Sequence, residues 1–145
     1  MIGPLALSRL LQLASPMLPV GAYSYSQGLE SAIEAGTVRD AETARDWTAD
    51  VLDLYLARFE LPLLWRMHRD WTSGDDPAPR NAIFAAGRDT AEARAETLQT
   101  GYSLLRLAND LGAFDPMSLA RLKSIDPVTY PLAYAFIASA WSIPA

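Results

Sequence analysis

The chain has 145 residues, half of them hydrophobic and a fifth charged, with a net charge of −5; a chain of this length makes one domain and can bury about two-thirds of its unfolded surface. The absence of cysteine excludes disulfides, thiolate zinc sites, iron–sulfur clusters and cysteine nucleophiles, and fits a reducing compartment. Its 12 basic residues are scattered, so no basic stripe exists to neutralise phosphates and nucleic acid is not an expected partner.

Strand-like alternation is absent over any useful length, whereas apolar spacings of three and four recur in a background of Ala, Leu, Glu and Arg. The expected class is all-α: a single-domain helical bundle of about six to eight helices over residues 1–145. The N-terminal stretch MIGPLALSRLLQLASP is expected to be a short amphipathic helix rather than an export signal, since it lacks a positive start and carries Arg9 and Gln12 inside its apolar run. A first helix is expected over Leu5 to Ala14, burying Leu7, Leu10, Leu11 and Ala14, and ending before Ser15-Pro16 because the residue before proline avoids helical dihedrals.

After a turn through Pro19 and Gly21, Ser24 to Gln27 has the S-x-x-Q form of a capping box, which predicts a second helix from Ser24 to Gly36. In that helix Ser26, Gln27 and Glu30 would share a face. Asp40 is the expected cap of a third helix, with Trp47, Val51, Leu54 and Tyr55 on one stripe; Pro62 either kinks it or opens another. TSGDDPAP, 72–79, reads as an internal flexible loop. One helix or a pair covers Arg80 to Leu111, with Ala91, Ala95, Leu98, Tyr102 and Leu105 on its inner face.

Asp115-Pro116 and Asp126-Pro127 each read as a cap followed by proline at the first helical position, introducing helices over Met117 to Lys123 and Pro131 to Ser142. The latter is apolar all round, as a helix buried on every side is, and nothing follows in sequence to cover it. A partner subunit or further C-terminal chain is therefore expected there. No uncharged run reaches the ~20 residues that span a bilayer, so a cytoplasmic protein is expected with no membrane partner.

Chemistry-bearing residues are sparse. The single histidine, His68, has no second histidine or cysteine beside it and reads as an ordinary surface or helix-end residue. There is no phosphate-binding G-x-x-x-x-G-K-[ST] loop, and Ser24, Ser26 and Ser31 have no neighbouring base. No catalytic, metal or cofactor-binding residue is expected. Gly28 and Gly101 fall inside helical patterns, where glycine costs roughly 1 kcal/mol relative to alanine; both are expected to mark close backbone approach between helices. Glu30 either orients the preceding turn or meets a partner.

The stretch SPMLPVGAYSYSQGLE, 15–30, resembles the signature S-P-x-L-P-[VI]-G-x-[FY]-x-x-S-x-G-L-E of the urease accessory protein F family. ARAETLQTGYSLLRLA, 93–108, is similar to that family's second motif and DPVTYPLAYAFIASAWSIP, 126–144, to its third. The resemblance implies an all-helical, non-enzymatic chaperone of nickel urease. It would bridge accessory proteins D (also called H) and G, modulate GTP hydrolysis by G during nickel insertion into apo-urease, and form a homodimer. Carried over residue by residue, Ser26, Gln27, Gly28, Leu29 and Glu30 belong to a partner-binding surface or its support, with Arg94 and Gly101 in the second motif. Family members continue past the third motif through a P-L-G-Q-like segment, so the chain is expected to be C-terminally incomplete. Alternative functions are a nickel-binding carrier, or direct activation of the GTPase by an arginine finger at Arg94 or Arg106.

Overall fold

The computed structural model describes residues 2–145, and among them every regular element is helical. The helices are α1 (Pro4–Leu13), α2 (Leu29–Glu34), α3 (Ala41–Asp50), α4 (Leu61–Ser73), α5 (Ala78–Ala86), α6 (Ala91–Leu111), α7 (Pro116–Lys123) and α8 (Tyr130–Ala140). A 3-10 turn, Ala22–Ser24, stands between α1 and α2, and a π-helical stretch, Val51–Glu60, joins α3 to α4.

Local chemistry sets several boundaries. Asp40 caps α3 as expected: its carboxylate accepts from the Thr43 amide (2.9 Å), and the Thr43 hydroxyl oxygen accepts from the Asp40 amide (3.1 Å). Asp115 does the same for α7, accepting from the Ser118 amide and hydroxyl at 2.8 Å. These hydrogen bonds hold both carboxyls below their ordinary range. α2 stops at a Schellman turn, in which Gly36 (φ 71°) bonds to Ile33 and Thr37 to Ala32.

At the centre lies α8, packed chiefly on α4 and α6. Leu132, Ala133, Ala135, Phe136, Ile137 and Ala138 are all buried there, with Leu63 and Met67 of α4, Phe84 of α5, Leu104 and Ala108 of α6 and Leu122 of α7. Trp71 meets Phe136 edge-on at 5.1 Å, and Phe114 bridges Phe136 and Trp141 at 5.4 and 5.7 Å. The expectation that α8 lacks cover within the chain is thus overturned: elements earlier in the sequence enclose it.

Other expectations are corrected as well. In α1 only Leu13 is buried, while Leu7 and Leu11 are 42% and 63% exposed, because the helix meets the core along Ala6, Leu10 and Leu13. The inner face of α6 is Thr97, Thr100, Gly101, Leu104 and Ala108; Ala91, Ala95 and Tyr102 are exposed, and Leu98 and Leu105 half-buried. The two threonines go inside because their hydroxyls are used: Thr100 donates to the Glu96 carbonyl (2.7 Å), and Thr97 accepts from the Tyr130 amide (3.3 Å).

Asp126 is not a cap: α8 begins four residues later, with Thr129 at its N-cap and Pro131 in its first turn. At Pro62 the helix continues, with Leu61 bonded five residues back to Leu56; the looser turn gives the ring room that a tight α-turn denies. Leu54, expected on a stripe with Trp47, Val51 and Tyr55, is 58% exposed while the other three are half-buried. The 72–79 stretch narrows to Gly74–Pro77 between α4 and α5, where Asp75 accepts from the Ser73 hydroxyl (2.7 Å), Asp76 from the Ala78 amide (3.0 Å), and Pro77 is fully buried.

Candidate protein-interaction surface

The segment from Ser15 to Glu30 is built from special backbone. Ser15 follows α1 and accepts the Met17 amide on its hydroxyl (3.2 Å), Gly21 is left-handed at φ 77°, and Tyr25 returns to extended geometry. Gln27 (φ 53°) and Gly28 (φ 90°) then form two consecutive left-handed residues before α2. The capping box expected at Ser24 and Gln27 does not form, since Ser24 closes the 3-10 turn and Gln27 lies outside any helix. Gln27 instead donates across to Glu96 of α6 (3.3 Å), and Tyr25 donates its hydroxyl to Gln99 (2.8 Å).

Gly28 is a second correction. A Cβ there would meet nothing within 4 Å, so glycine is required by the left-handed backbone and not by close packing. Ser26 and Glu30 are exposed and Leu29 is half-buried; Ser26, Gln27 and Glu30 do not share a helix face, because α2 starts only at Leu29. No hydrogen bond or ion pair among the described residues engages the Glu30 carboxylate.

Gly101 meets its expectation of close approach. A Cβ on it would collide with the backbone of Val128, Thr129 and Tyr130, reaching the last two at 2.6 and 2.7 Å. This brings α6 against the segment that leads into α8, away from Gly28. Arg94, seven residues earlier, is exposed and reaches the Ala85 carbonyl at 3.5 Å. The structure therefore joins Gln27 to α6 and gives Gly101 to the interior, leaving Ser26, Glu30 and Arg94 outward.

Sequence reasoning missed the group that fixes this junction. Buried Asn81 of α5 donates to the Pro127 carbonyl (2.7 Å) and accepts from the Thr129 hydroxyl (2.6 Å). A cleft of about 670 Å³ lies between the first and third motifs, lined by Leu13, Val20, Gly21, Tyr25, Tyr130 and Tyr134 among others, with no charged side chain. Burial pushes the Tyr130 phenol up to about 12 and raises that of Tyr134, so both remain neutral hydrogen-bond donors at physiological pH.

A second cluster also went unread. Arg88, 9% exposed, donates to Glu60 at 2.5 Å and lies 4.1 Å over Phe84 and 5.4 Å over Tyr55. Burial raises the Tyr55 phenol, with Arg88 opposing the shift. Gly87 was the available signal, for the Phe59 ring occupies the space where its Cβ would stand. His68 is likewise not a surface residue: half-buried in α4, its Nε2 bonds the Ile143 carbonyl at 2.9 Å and ties α4 to the segment after α8.

Among the described residues no group of three or more His, Asp or Glu is placed to hold a metal ion, and no helix is long and apolar enough to cross a membrane. The polar side chains of Ser26, Glu30 and Arg94 stand on the outer surface, with the 3.5 Å Arg94–Ala85 contact as the one side-chain hydrogen bond among them within the described residues.

The family model UreF matches residues 38–145. The chain is 56% identical over 147 residues to "Urease accessory protein UreF" of Azoarcus sp. (strain BH72), covering 99% of this chain and 63% of that protein. Proteins of the same name from Methylobacillus flagellatus and Janthinobacterium sp. (strain Marseille) are each 51% identical, covering 95% and 97% of this chain and 62% and 63% of their own lengths. The chain thus spans somewhat under two-thirds of the length of these relatives. The alignments reach nearly the whole chain and so include most or all of the 15–30 segment, which lies outside the family-model match.

Proposed function

The chain belongs to the UreF family, and on that premise we propose that it serves urease maturation as a non-catalytic scaffold. It works in the cytoplasm as a homodimer and bridges the accessory proteins D (or H) and G. There it modulates GTP hydrolysis by G while nickel is inserted into apo-urease. The observation that carries the reading is kinship over nearly the whole chain with proteins named as urease accessory proteins. The physical character of the surface supports it: Ser26, Glu30 and Arg94 point outward without strong internal partners, as groups available to another protein do.

Affinity-tagged chain co-expressed with the D and G proteins tests the bridge, with urease activity and nickel content of the matured enzyme as the readout. Retention of both proteins, weakened by Glu30→Arg or Arg94→Glu while the chain stays folded, is the expected result. Retention of neither, together with no change in GTP hydrolysis by G when this chain is added, refutes the scaffold reading.

A further inference from the structure

The stretch Val51–Glu60 is wound as a π-helix over 10 residues, whereas π-turns are rare and mostly occur singly inside α-helices. Leu61 closes it by bonding back to the Leu56 carbonyl, and the Arg58 side chain reaches the Asp53 carbonyl at 3.2 Å, each a step of five residues. Pro62 calls for looser winding only in the turn before it. The sequence of the stretch is patterned for an α-helix: at about 100° per residue, Leu54 would fall beside Trp47 on one stripe with Val51 and Tyr55. Instead Leu54 is left 58% exposed.

Arg88 supplies what outweighs that pattern. Its guanidinium is 9% exposed, pairs with Glu60 and lies over the Tyr55 ring. Tyr55 and Glu60 are five residues apart. In an α-helix that step turns through about 140°, so the two could not both face Arg88; a π-turn sets them one above the other. Phe59 is held in the same place, stacked on Phe84 at 5.8 Å and seated against Gly87. Rewinding as α would carry Glu60 away from a buried guanidinium whose Nε already has no partner among the described residues, and a buried charge resists losing its counter-charge.

We propose that Arg88 is a winding clamp: by pairing with Glu60 it holds Val51–Glu60 in the π register and so sets the rotational position of α3. That helix buries no residue and has no extensive contact with any element but the stretch that continues it. Its exposed Glu42, Asp46 and Asp50 follow at steps of four, one acidic line along the helix. Release of Glu60 lets the stretch rewind as α, which draws Leu54 onto the stripe and turns the acidic line about the helix axis. One segment with two packings, selected by one ion pair, is a conformational device.

The chain has no cysteine, so engineered cysteine pairs can read the winding directly. Leu52, Asp53 and Ala57 are exposed. With Leu52→Cys and Ala57→Cys, five residues apart, a short thiol-specific cross-linker should bridge the parent quickly. Adding Arg88→Met should slow that bridging roughly tenfold, because only a minority of molecules then keep the π spacing. Asp53→Cys with Ala57→Cys, four residues apart and adjacent in either winding, should bridge at the same rate in both backgrounds and so reports that the stretch is still helical. Should Arg88→Met fail to fold, the double variant Glu60→Met/Arg88→Met strands no charge and should give the same slowing. Spin labels at Asp46→Cys on α3 and Met117→Cys on α7 should show one separation in the parent and a second one once the pair is removed. Bridging between positions 52 and 57 that is equally fast with and without the pair overturns the clamp, as does a parent that does not bridge there. A label separation unchanged in variants that have lost that bridge overturns the aiming of α3.

Discussion

Gly101→Ala isolates a close approach of helix to backbone, between α6 and the segment that leads into α8. Within a helix this exchange ordinarily stabilises by about 1 kcal/mol. Here the added methyl meets Thr129 C and Tyr130 N at 2.6 and 2.7 Å, and the Val128 carbonyl oxygen closer still. None of these is the end of a flexible side chain. Relief requires α6 to move away from the start of α8, and overpacking of this kind costs about 3 kcal/mol at the upper end of its usual range. The expected net loss is ~2 kcal/mol, or about 4–8 °C in Tm for a chain of this size. Urea unfolding followed by tryptophan fluorescence reads it as a lower midpoint at unchanged m. Gly28 provides the contrast, for it needs left-handed backbone and has open space: Gly28→Asn should be nearly tolerated, as Gly101→Asn should not. A Gly101→Ala protein as stable as the parent, or more so, refutes the close-approach argument.

Asn81→Ala should destabilise by about 2–4 kcal/mol, since it leaves the Pro127 carbonyl and the buried Thr129 hydroxyl without their partner; the same urea titration measures it. Arg80→Ala strands Asp70, whose carboxyl burial already raises and whose partner at 2.7 Å is Arg80. Its folded pKa then rises further, so the loss, about 1 kcal/mol for a pair with one partly exposed partner, should be larger at pH 7 than at pH 4, as paired midpoints would show. Asp40 and Asp115 have the opposite sign. Their folded pKa values are depressed by cap hydrogen bonds, so their stabilisation is present above the ordinary carboxylate value of 3.8 and is lost as pH falls through the folded values. The double variant Asp40→Ala/Asp115→Ala should show a shallower loss of stability below pH 4 than the parent, and equal slopes would refute the capping argument.

How much was legible in the sequence depended on how local the cause was. The caps at Asp40 and Asp115 could be read because each is satisfied by a residue three positions away. The two glycines show the boundary: in sequence, a glycine kept for left-handed backbone looks the same as one kept for space, and Gly28 and Gly101 divided between those causes. On α6 two helical faces competed. The more apolar one lost because Thr97 and Thr100 bury their hydroxyls in hydrogen bonds to backbone, one of them from the distant Tyr130. Asn81, Arg88 and the bond from His68 to Ile143 lay beyond reach for the same reason, the partners being 46, 28 and 75 residues away.

The central position of α8 also governs when the protein can fold. Its principal partners, α4 and α6, are complete by Ser73 and Leu111, but the helix that fills the space between them starts only at Tyr130. At ribosomal rates of about 5–20 residues per second, roughly 3–11 s pass between the emergence of Ser73 and that of Tyr130. Through that interval the apolar face of α4, with Leu63 and Met67, has no permanent companion. Until α8 emerges the nascent chain is a set of half-wet helices, and the contact that joins α4 to α8 is long-range despite an all-helical architecture. The core formed by α4, α6 and α8 therefore cannot close before Tyr130–Ala140 has been made.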